Sequence, residues 1–510
     1  MLSGFEFIER NRLVMEGRSV RLGTVLRDRK PAVRLNAYFQ SIFLDVRQRF
    51  WQSRLTSKRP TPNLHNSMPK DATSGLPQPI FNEGNVTPDP TRFKTAHPSD
   101  TRQYKEIEKL LKTQVVGFDP SRVAPDEVFQ LESAFGPHGP EIVKRIKTAR
   151  KIIFHAAGDT GASNEGKYGN EITVADQVTN DCRASNTANR PAFFYHLGDI
   201  VYNFGEAKYY YDQFYDPFRN YPGPIFAIPG NHDSFIIPGT PEEDAPLKIF
   251  ARNFCASQLS ITPEAGSLHR TAMTQPGVYF ALDAPFVRII GLFSNALEDP
   301  GVISSEKGKW ASVPSSQLDY LRKQLARIKS ENYSGAVLLA VHHPPFSYEP
   351  PPKSGGAGGN HSGSPNMLRQ IDAICKAEGV YPHAVLSGHA HNYQRFTRTI
   401  RFKDKDLTVP FIICGDGGHN VNKLVKSRRG QVTREPYFGV NVDYLESNPA
   451  VEAKSLVLKH YDDVNYGYLR ITVDKTLLRI GFQQVAKMSI PQSRIDMVTV
   501  DLASRTIVAN

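Results

Sequence analysis

The chain has 510 residues, 40% of them apolar and 22% charged, a composition ordinary for a globular protein and a length that allows two to four domains. No apolar run is long enough to span a bilayer. A formal net charge of +11 favours anionic partners, but no unbroken basic run marks a nucleic-acid-binding arm.

The opening segment, MLSGFEFIERNRLVMEGRSVRLG, mixes charges throughout and lacks the apolar core of a secretory signal. A cytoplasmic location is expected, or export by a route that reads no cleaved signal. Residues 1–56 read as a small, partly helical unit, and 57–100 as a proline-rich linker or extended surface segment. Residues 101–150 form a helical lead-in, with apolar positions at helical spacing in TRQYKEIEKLLKTQVV. From 151 the pattern changes to short, fully apolar runs: KIIFHAA, AFFYHL, PIFAIP, VRIIGLFS, AVLLAV, HAVLS and PFIICG. Runs of this kind suit strands covered on both faces. SSQLDYLRKQLARIKS between two of them carries a serine start and a helical stripe. An α/β domain is thus expected over 151–480, followed by a C-terminal extension over 481–510. The four cysteines, Cys182, Cys255, Cys375 and Cys414, are scattered without a C-x-x-C pair and read as reduced, buried thiols.

Five of these runs end in polar, ligand-type residues. They lead into Gly158-Asp159, Gly198-Asp199 with Tyr202 three residues on, Gly230-Asn231-His232-Asp233, His342-His343, and Gly388-His389-Ala390-His391. In open α/β sheets the loops at the carboxyl ends of strands converge on one crevice, so these residues share a site. Singly, each motif is also what a solvated turn looks like. In order, each on a strand end, they point to metal binding. In extended backbone, residues two apart face the same way, so His389 and His391 are expected to direct both imidazoles into one space. Asp159, Asp199, Tyr202, Asn231, His342, His389 and His391 offer oxygen and imidazole donors without thiolate, a set that suits zinc, manganese or iron. Seven donors exceed the needs of one ion. They match two metal ions sharing a bridging carboxylate, about 3.5–4 Å apart, a device for phosphoryl transfer.

The ordered set GD, GDxxY, GNHD, histidine after an apolar strand, and GHxH resembles the metallophosphoesterase (calcineurin-like) superfamily, and within it the purple acid phosphatase-like branch. Gly161 stands where the common pattern has the histidine of D-x-H, and Tyr202 supplies the tyrosine that replaces it in that branch; GHAHNYQR and GDGG (415–418) also look like it. The resemblance implies a four-layer sandwich of two mixed β-sheets flanked by helices. It implies that Asp159, Tyr202 and His391 hold one metal, that Asn231, His342 and His389 hold the other, and that Asp199 bridges. His232 would be a proton donor to the leaving group rather than a ligand. The implied cofactor is Fe(III) paired with Zn, Mn or Fe(II), activating a hydroxide nucleophile. His343 remains an alternative ligand to His342. Asp233 either orients His232 or caps the turn.

The glycine- and proline-rich stretch after His343 is a candidate pocket rim, with His361 a second proton carrier and Lys353 a phosphate contact, or a surface loop with incidental polar residues. The aromatic string at 202–218 lines the opposite rim or packs in the core. The expected activity is hydrolysis of a small phosphorylated substrate as a phosphomonoesterase. The alternatives are a phosphodiesterase acting on nucleotides or phospholipids, and a non-catalytic anion-binding protein, which would have no need of His232.

Overall fold

The computed structural model describes residues 75–82, 128–235, 247–294, 301–305, 313–347, 361, 363–424, 426–428, 431–433, 454–485 and 494–509. The expectations for 1–56, for the linker apart from 75–82, and for the helical segment 101–116 lie outside these residues, as does Lys353.

Two mixed sheets carry the fold. The chain forms β1 (Val128–Gln130), α1 (Gly139–Thr148), β2 (Lys151–Ala157), α2 (Glu165–Asp181), β3 (Phe194–His196) and β4 (Ile225–Ala227). It continues through α3 (Lys248–Phe254), β5 (Ala281–Ala284), β6 (Val287–Leu292), α4 (Ser316–Ser330), β7 (Ala336–Val341), α5 (Pro365–Glu378) and β8 (Ala384–Ser387). The hairpin β9 (Tyr393–Phe402) and β10 (Lys405–Cys414) is followed by β11 (Lys426–Arg428), β12 (Gln431–Thr433), β13 (Ser455–Asp462), β14 (Tyr466–Asp474), β15 (Leu477–Val485), β16 (Arg494–Asp501) and β17 (Thr506–Val508).

The first sheet has the order β1-β5-β6-β7-β8-β10-β9-β13 and the second β17-β16-β15-β14-β2-β3-β4, with β11 and β12 a separate hairpin. Parallel pairing joins β6, β7, β8 and β10 in the first sheet, and β2, β3 and β4 in the second. Those strands are the fully apolar runs, as burial on both faces demands. The sheets face each other through aromatic contacts such as the stacked pair Tyr393–Phe482, with ring centroids 4.0 Å apart. Gly291 admits Tyr195 from the opposite sheet; a Cβ there would lie 2.5 Å from the Tyr195 hydroxyl. Outside this core, α2 packs on β14 and β15 while α4 lies against β6 and α5, completing the four layers. The start of α2 is set by Asn164, whose side chain accepts the Lys167 N–H. On the other side, α5 stops at Gly379, in the left-handed conformation at φ 72°.

The described residues belong to one compact unit, Thr73–Asn510. Within the C-terminal extension expected over 481–510, β16 pairs with β15 and β17 with β16 in the second sheet. RIDMVTVD (494–501) interleaves polar and apolar residues, which the fully apolar template does not match. β1 likewise adds to the first sheet beside β5. Residues 75–82 lie on this unit by backbone bonds, Leu76 N–H to Leu259 O and Thr271 N–H to Ile80 O, both 2.9 Å. Arg270 is almost fully buried and donates to the carbonyls of Phe81, Tyr221 and Gly223, fastening the segment from beneath. No helix among the described residues is long and apolar enough to cross a membrane.

Candidate metal centre

The five strand ends meet. Asp159 follows β2, Asp199 follows β3, Asn231 follows β4, His342 follows β7 and His389 follows β8, so three belong to one sheet and two to the other. Asp159, Asp199 and His389 all have positive φ, at 57°, 56° and 68°. Non-glycine residues pay for that conformation, and such residues gather where function over-determines the backbone. The glycines beside them are required by close approach. A Cβ on Gly230 would lie 1.9 Å from Asp199 Oδ1, and one on Gly198, itself at φ 101°, would lie 2.5 Å from His342 Nδ1.

Each carboxylate uses one oxygen to hold its position. Asp159 Oδ2 accepts the His389 N–H at 2.8 Å and Asp199 Oδ1 accepts the His232 N–H at 2.9 Å. The other oxygens face the cluster. Tyr202 Oη lies 2.9 Å from Asp159 Oδ1, 3.0 Å from Asp199 Oδ2 and 3.2 Å from His391 Nε2. Asn231 Oδ1 lies 3.0 Å from His342 Nε2 and 3.1 Å from His389 Nδ1, and His342 Nε2 is 3.4 Å from Asp199 Oδ2. Two donor groups result, and Asp199 Oδ2 belongs to both.

The arrangement fits cations. Metal bonds of about 2.1 Å meeting at about 90–110° set donor atoms about 3.0–3.4 Å apart, the range of these contacts. Without a cation, His342 satisfies these oxygens only as a charged imidazolium. The His342 Nδ1–H donates to the Leu197 carbonyl at 2.8 Å, so a neutral ring presents its Nε2 lone pair to the Asn231 and Asp199 oxygens. Asp199, His342 and His389 alone bring donor atoms within 4.8 Å of one another. The electrostatics of the cation-free cluster show positive charge being drawn in. Burial and the Asp159 and Asp199 charges push the Tyr202 phenol well above its ordinary pKa, so it needs a nearby cation to ionise. Burial alone would depress His342, but the Asp199 carboxylate outweighs it and lifts the imidazole to about 9.

The two histidines of GHAH do not share one space. The left-handed turn at His389 breaks the extended geometry, sending His389 Nδ1 to Asn231 and His391 Nε2 to Tyr202. His343 turns away from Asn231: its Nδ1 is 3.0 Å from Ser294 Oγ, its ring packs 4.1 Å from that of His389, and its Nε2 has no hydrogen-bond partner among the described residues. Asp233 does not contact His232. It accepts the N–H groups of Ile200, Val201 and Gly230 at 2.9, 3.1 and 2.7 Å, the turn-capping alternative, because its position one residue beyond His232 points its side chain back under the loops. Burial, then the Asp199 charge, raises its carboxyl to about 8. His232 Nδ1 lies 2.8 Å from the Asn203 carbonyl oxygen and its ring 4.2 Å from that of Tyr202. His361 lies over the cluster, its ring centroid 4.9 Å from those of both His389 and His391. The aromatic residues from Tyr209 to Phe218 are buried in the core and form no rim.

Two residues absent from the sequence reading complete the surroundings. His419 stacks on Tyr202 with ring centroids 3.5 Å apart, and Lys167 Nζ approaches its Nε2 to 2.8 Å. Its placement directly after GDGG was the available signal.

Residues 154–393 match the family described as calcineurin-like phosphoesterase, a span that holds all seven candidate donors. That stretch is similar to a calcineurin-like phosphoesterase domain, and the chain is an enzyme of the class that hydrolyses phosphoric esters at a metal centre. No curated protein matches the sequence significantly. Among solved structures the chain is similar to a structure of PhoD, with 12% identity, 69% of this chain and 70% of that one covered, and a TM-score of 0.41. It is also similar to GAP50, the anchor in the inner membrane complex of Plasmodium, with 11% identity, 68% and 89% coverage, and a TM-score of 0.39. At these TM-scores the likenesses add nothing to the family match.

Proposed function

We propose that the chain is a dinuclear metal-dependent phosphomonoesterase of the purple acid phosphatase-like branch. The observation that supports this reading is the pair of donor groups sharing Asp199 Oδ2, which lies 3.0 Å from Tyr202 Oη and 3.4 Å from His342 Nε2. Asp159, Tyr202 and His391 would hold one ion and Asn231, His342 and His389 the other. A phenol among hard oxygen donors favours Fe(III) in the first set, with Zn, Mn or Fe(II) in the second. Bound there, two cations supply Lewis acidity toward phosphoryl oxygens and lower the pKa of water.

The remaining residues orient and move protons. His232 is anchored by its backbone N–H on Asp199 and by Nδ1 on the Asn203 carbonyl, and its Nε2 would deliver a proton to the departing alkoxide. His361 stands on the other side, over His389 and His391, as a second proton carrier. A monoester dianion suits a pocket walled by these imidazoles, and the net charge of +11 favours such a small phosphorylated substrate.

The test compares p-nitrophenyl phosphate with bis-p-nitrophenyl phosphate on protein of known metal content, with Asn231→Ala as control. Faster monoester hydrolysis that the variant loses supports the reading. Faster diester hydrolysis replaces it with a phosphodiesterase. No turnover with metals bound leaves a phosphate-binding site without catalysis, and the proposal fails.

A further inference from the structure

His419 is tied to three parts of the site at once. Its backbone N–H donates to the Asp159 carbonyl at 3.0 Å, and its Nδ1 lies 2.6 Å from the Gly161 carbonyl oxygen. Its Nε2 lies 2.8 Å from Lys167 Nζ, which projects from the first turn of α2. These contacts determine the tautomer. A carbonyl oxygen accepts, so Nδ1 carries the proton; an ammonium donates, so Nε2 presents its lone pair. The ring is neutral and cannot turn without losing both partners.

Its face then lies on the Tyr202 ring, with an interplanar angle of 16° and centroids 3.5 Å apart. His232 packs at 4.2 Å from the same phenol ring. The Tyr202 backbone is held as well, its N–H donating to Gln213 Oε1 at 2.8 Å and its carbonyl accepting from Gln213 Nε2 at 2.5 Å. Gly417 and Gly418 let the loop bearing His419 lie this close: a Cβ on Gly417 would meet the Gly158 carbonyl oxygen at 2.3 Å, and one on Gly418 the Thr160 carbonyl oxygen at 2.8 Å.

We infer that His419, clamped by Lys167 and Gly161, is a positioning residue that fixes the plane of the Tyr202 phenol and so presents Oη to the Asp159–His391 donor group. This rests on the reading of Tyr202 as a ligand. A phenol oxygen sits at the end of a long lever, and a small rotation about the Cα–Cβ bond would move it out of bonding range. The stack removes that freedom before any cation arrives, as a supporting partner does for a metal-binding imidazole. The Lys167 contact makes the start of α2 part of the same support.

The experiment loads the full chain with Fe(III) and Zn(II) and reads two quantities: the visible phenolate-to-iron absorption band, and the rate of iron release to a chelator. Wild type, Tyr202→Phe, His419→Ala, His419→Phe and Lys167→Met are compared. The wild type shows the band and Tyr202→Phe lacks it. His419→Ala shifts and broadens the band and releases iron about 10–100-fold faster while keeping its zinc, the size of effect typical for outer partners of metal ligands. His419→Phe, which keeps a flat face, lies closer to wild type than His419→Ala. Lys167→Met shifts the band in the same direction by less. An unaltered band and iron release in His419→Ala overturn the inference and leave the ligand reading intact. Should that variant fail to fold, an unaltered Lys167→Met does the same. Absence of the band in the wild type, or its survival in Tyr202→Phe, overturns the ligand reading and the inference together.

Discussion

His389 donates its backbone N–H to Asp159 Oδ2 at 2.8 Å, although 230 positions separate the two residues. Asp159 follows a strand of the second sheet and His389 one of the first, so this bond stitches the sheets together at the metal centre. It also orients Asp159, because an oxygen that accepts a backbone N–H leaves only its neighbour to face Tyr202 and His391. Stability and site geometry therefore depend on the same contacts, and metal removal is expected to loosen the fold. With metals present at 100 times their dissociation constants, linkage predicts about 2.7 kcal/mol of stabilisation per site. Thermal melts with and without chelator measure it; identical melting temperatures would contradict a site formed only in the folded chain.

Replacing Gly230 with alanine is expected to cost metal before it costs the fold. The new Cβ would lie 1.9 Å from Asp199 Oδ1, driving the shared carboxylate from its place. Gly230→Ala should bind fewer than two metals per chain and lose about 100-fold in activity, the upper end of effects from misplaced ligands. Metal analysis after dialysis decides: two retained equivalents would show that Asp199 tolerates the shift.

Substituting His232 should depend on the leaving group. General acid catalysis contributes about 10²–10⁴-fold, most where the departing alkoxide is a poor leaving group. His232→Ala is thus expected to lower kcat strongly for an alkyl phosphate and much less for p-nitrophenyl phosphate. Equal losses on both substrates would argue for a binding role instead.

Away from the site, Arg398 is 1% exposed and forms a two-pronged pair with Asp372, at 2.9 and 2.6 Å, beneath Tyr381. Asp372→Ala strands a buried guanidinium and is expected to cost about 3–5 kcal/mol. Urea titration reads the loss. A cost below about 1 kcal/mol would mean the charge finds water or another acceptor.

The Asp496 carboxylate gives a pH signature. Burial raises its pKa, but the Arg395 guanidinium, bonded at 2.6 and 2.9 Å, and the Tyr393 hydroxyl reverse this and hold it below the ordinary value. A depressed folded-state pKa adds stability above the unfolded value near 3.9, lost as the pH falls through the folded one. Asp496→Asn should therefore destabilise by about 2 kcal/mol at pH 7 and by much less at pH 3. A difference that does not shrink on acidification would assign the effect to packing.

How much of this was legible in the chain follows from range. The runs KIIFHAA and AVLLAV announce β2 and β7 because burial on both faces leaves no polar alternation, and the residues behind them announce donors because a glycine turn needs neither acids nor histidines. Identity and order of the seven candidates are local properties, and sequence determined them. Which oxygen of Asp199 faces inward, that His342 rather than His343 faces Asn231, and that Asp233 braces backbone are matters of direction. They depend on positive φ at Asp159, Asp199 and His389, a conformation that side-chain chemistry alone does not announce. The β16–β17 pairing and the stack of His419 on Tyr202 join residues that no short-range pattern relates. Only the tertiary structure decided those, because they exist once two sheets have packed and brought their strand ends within a hydrogen bond of one another.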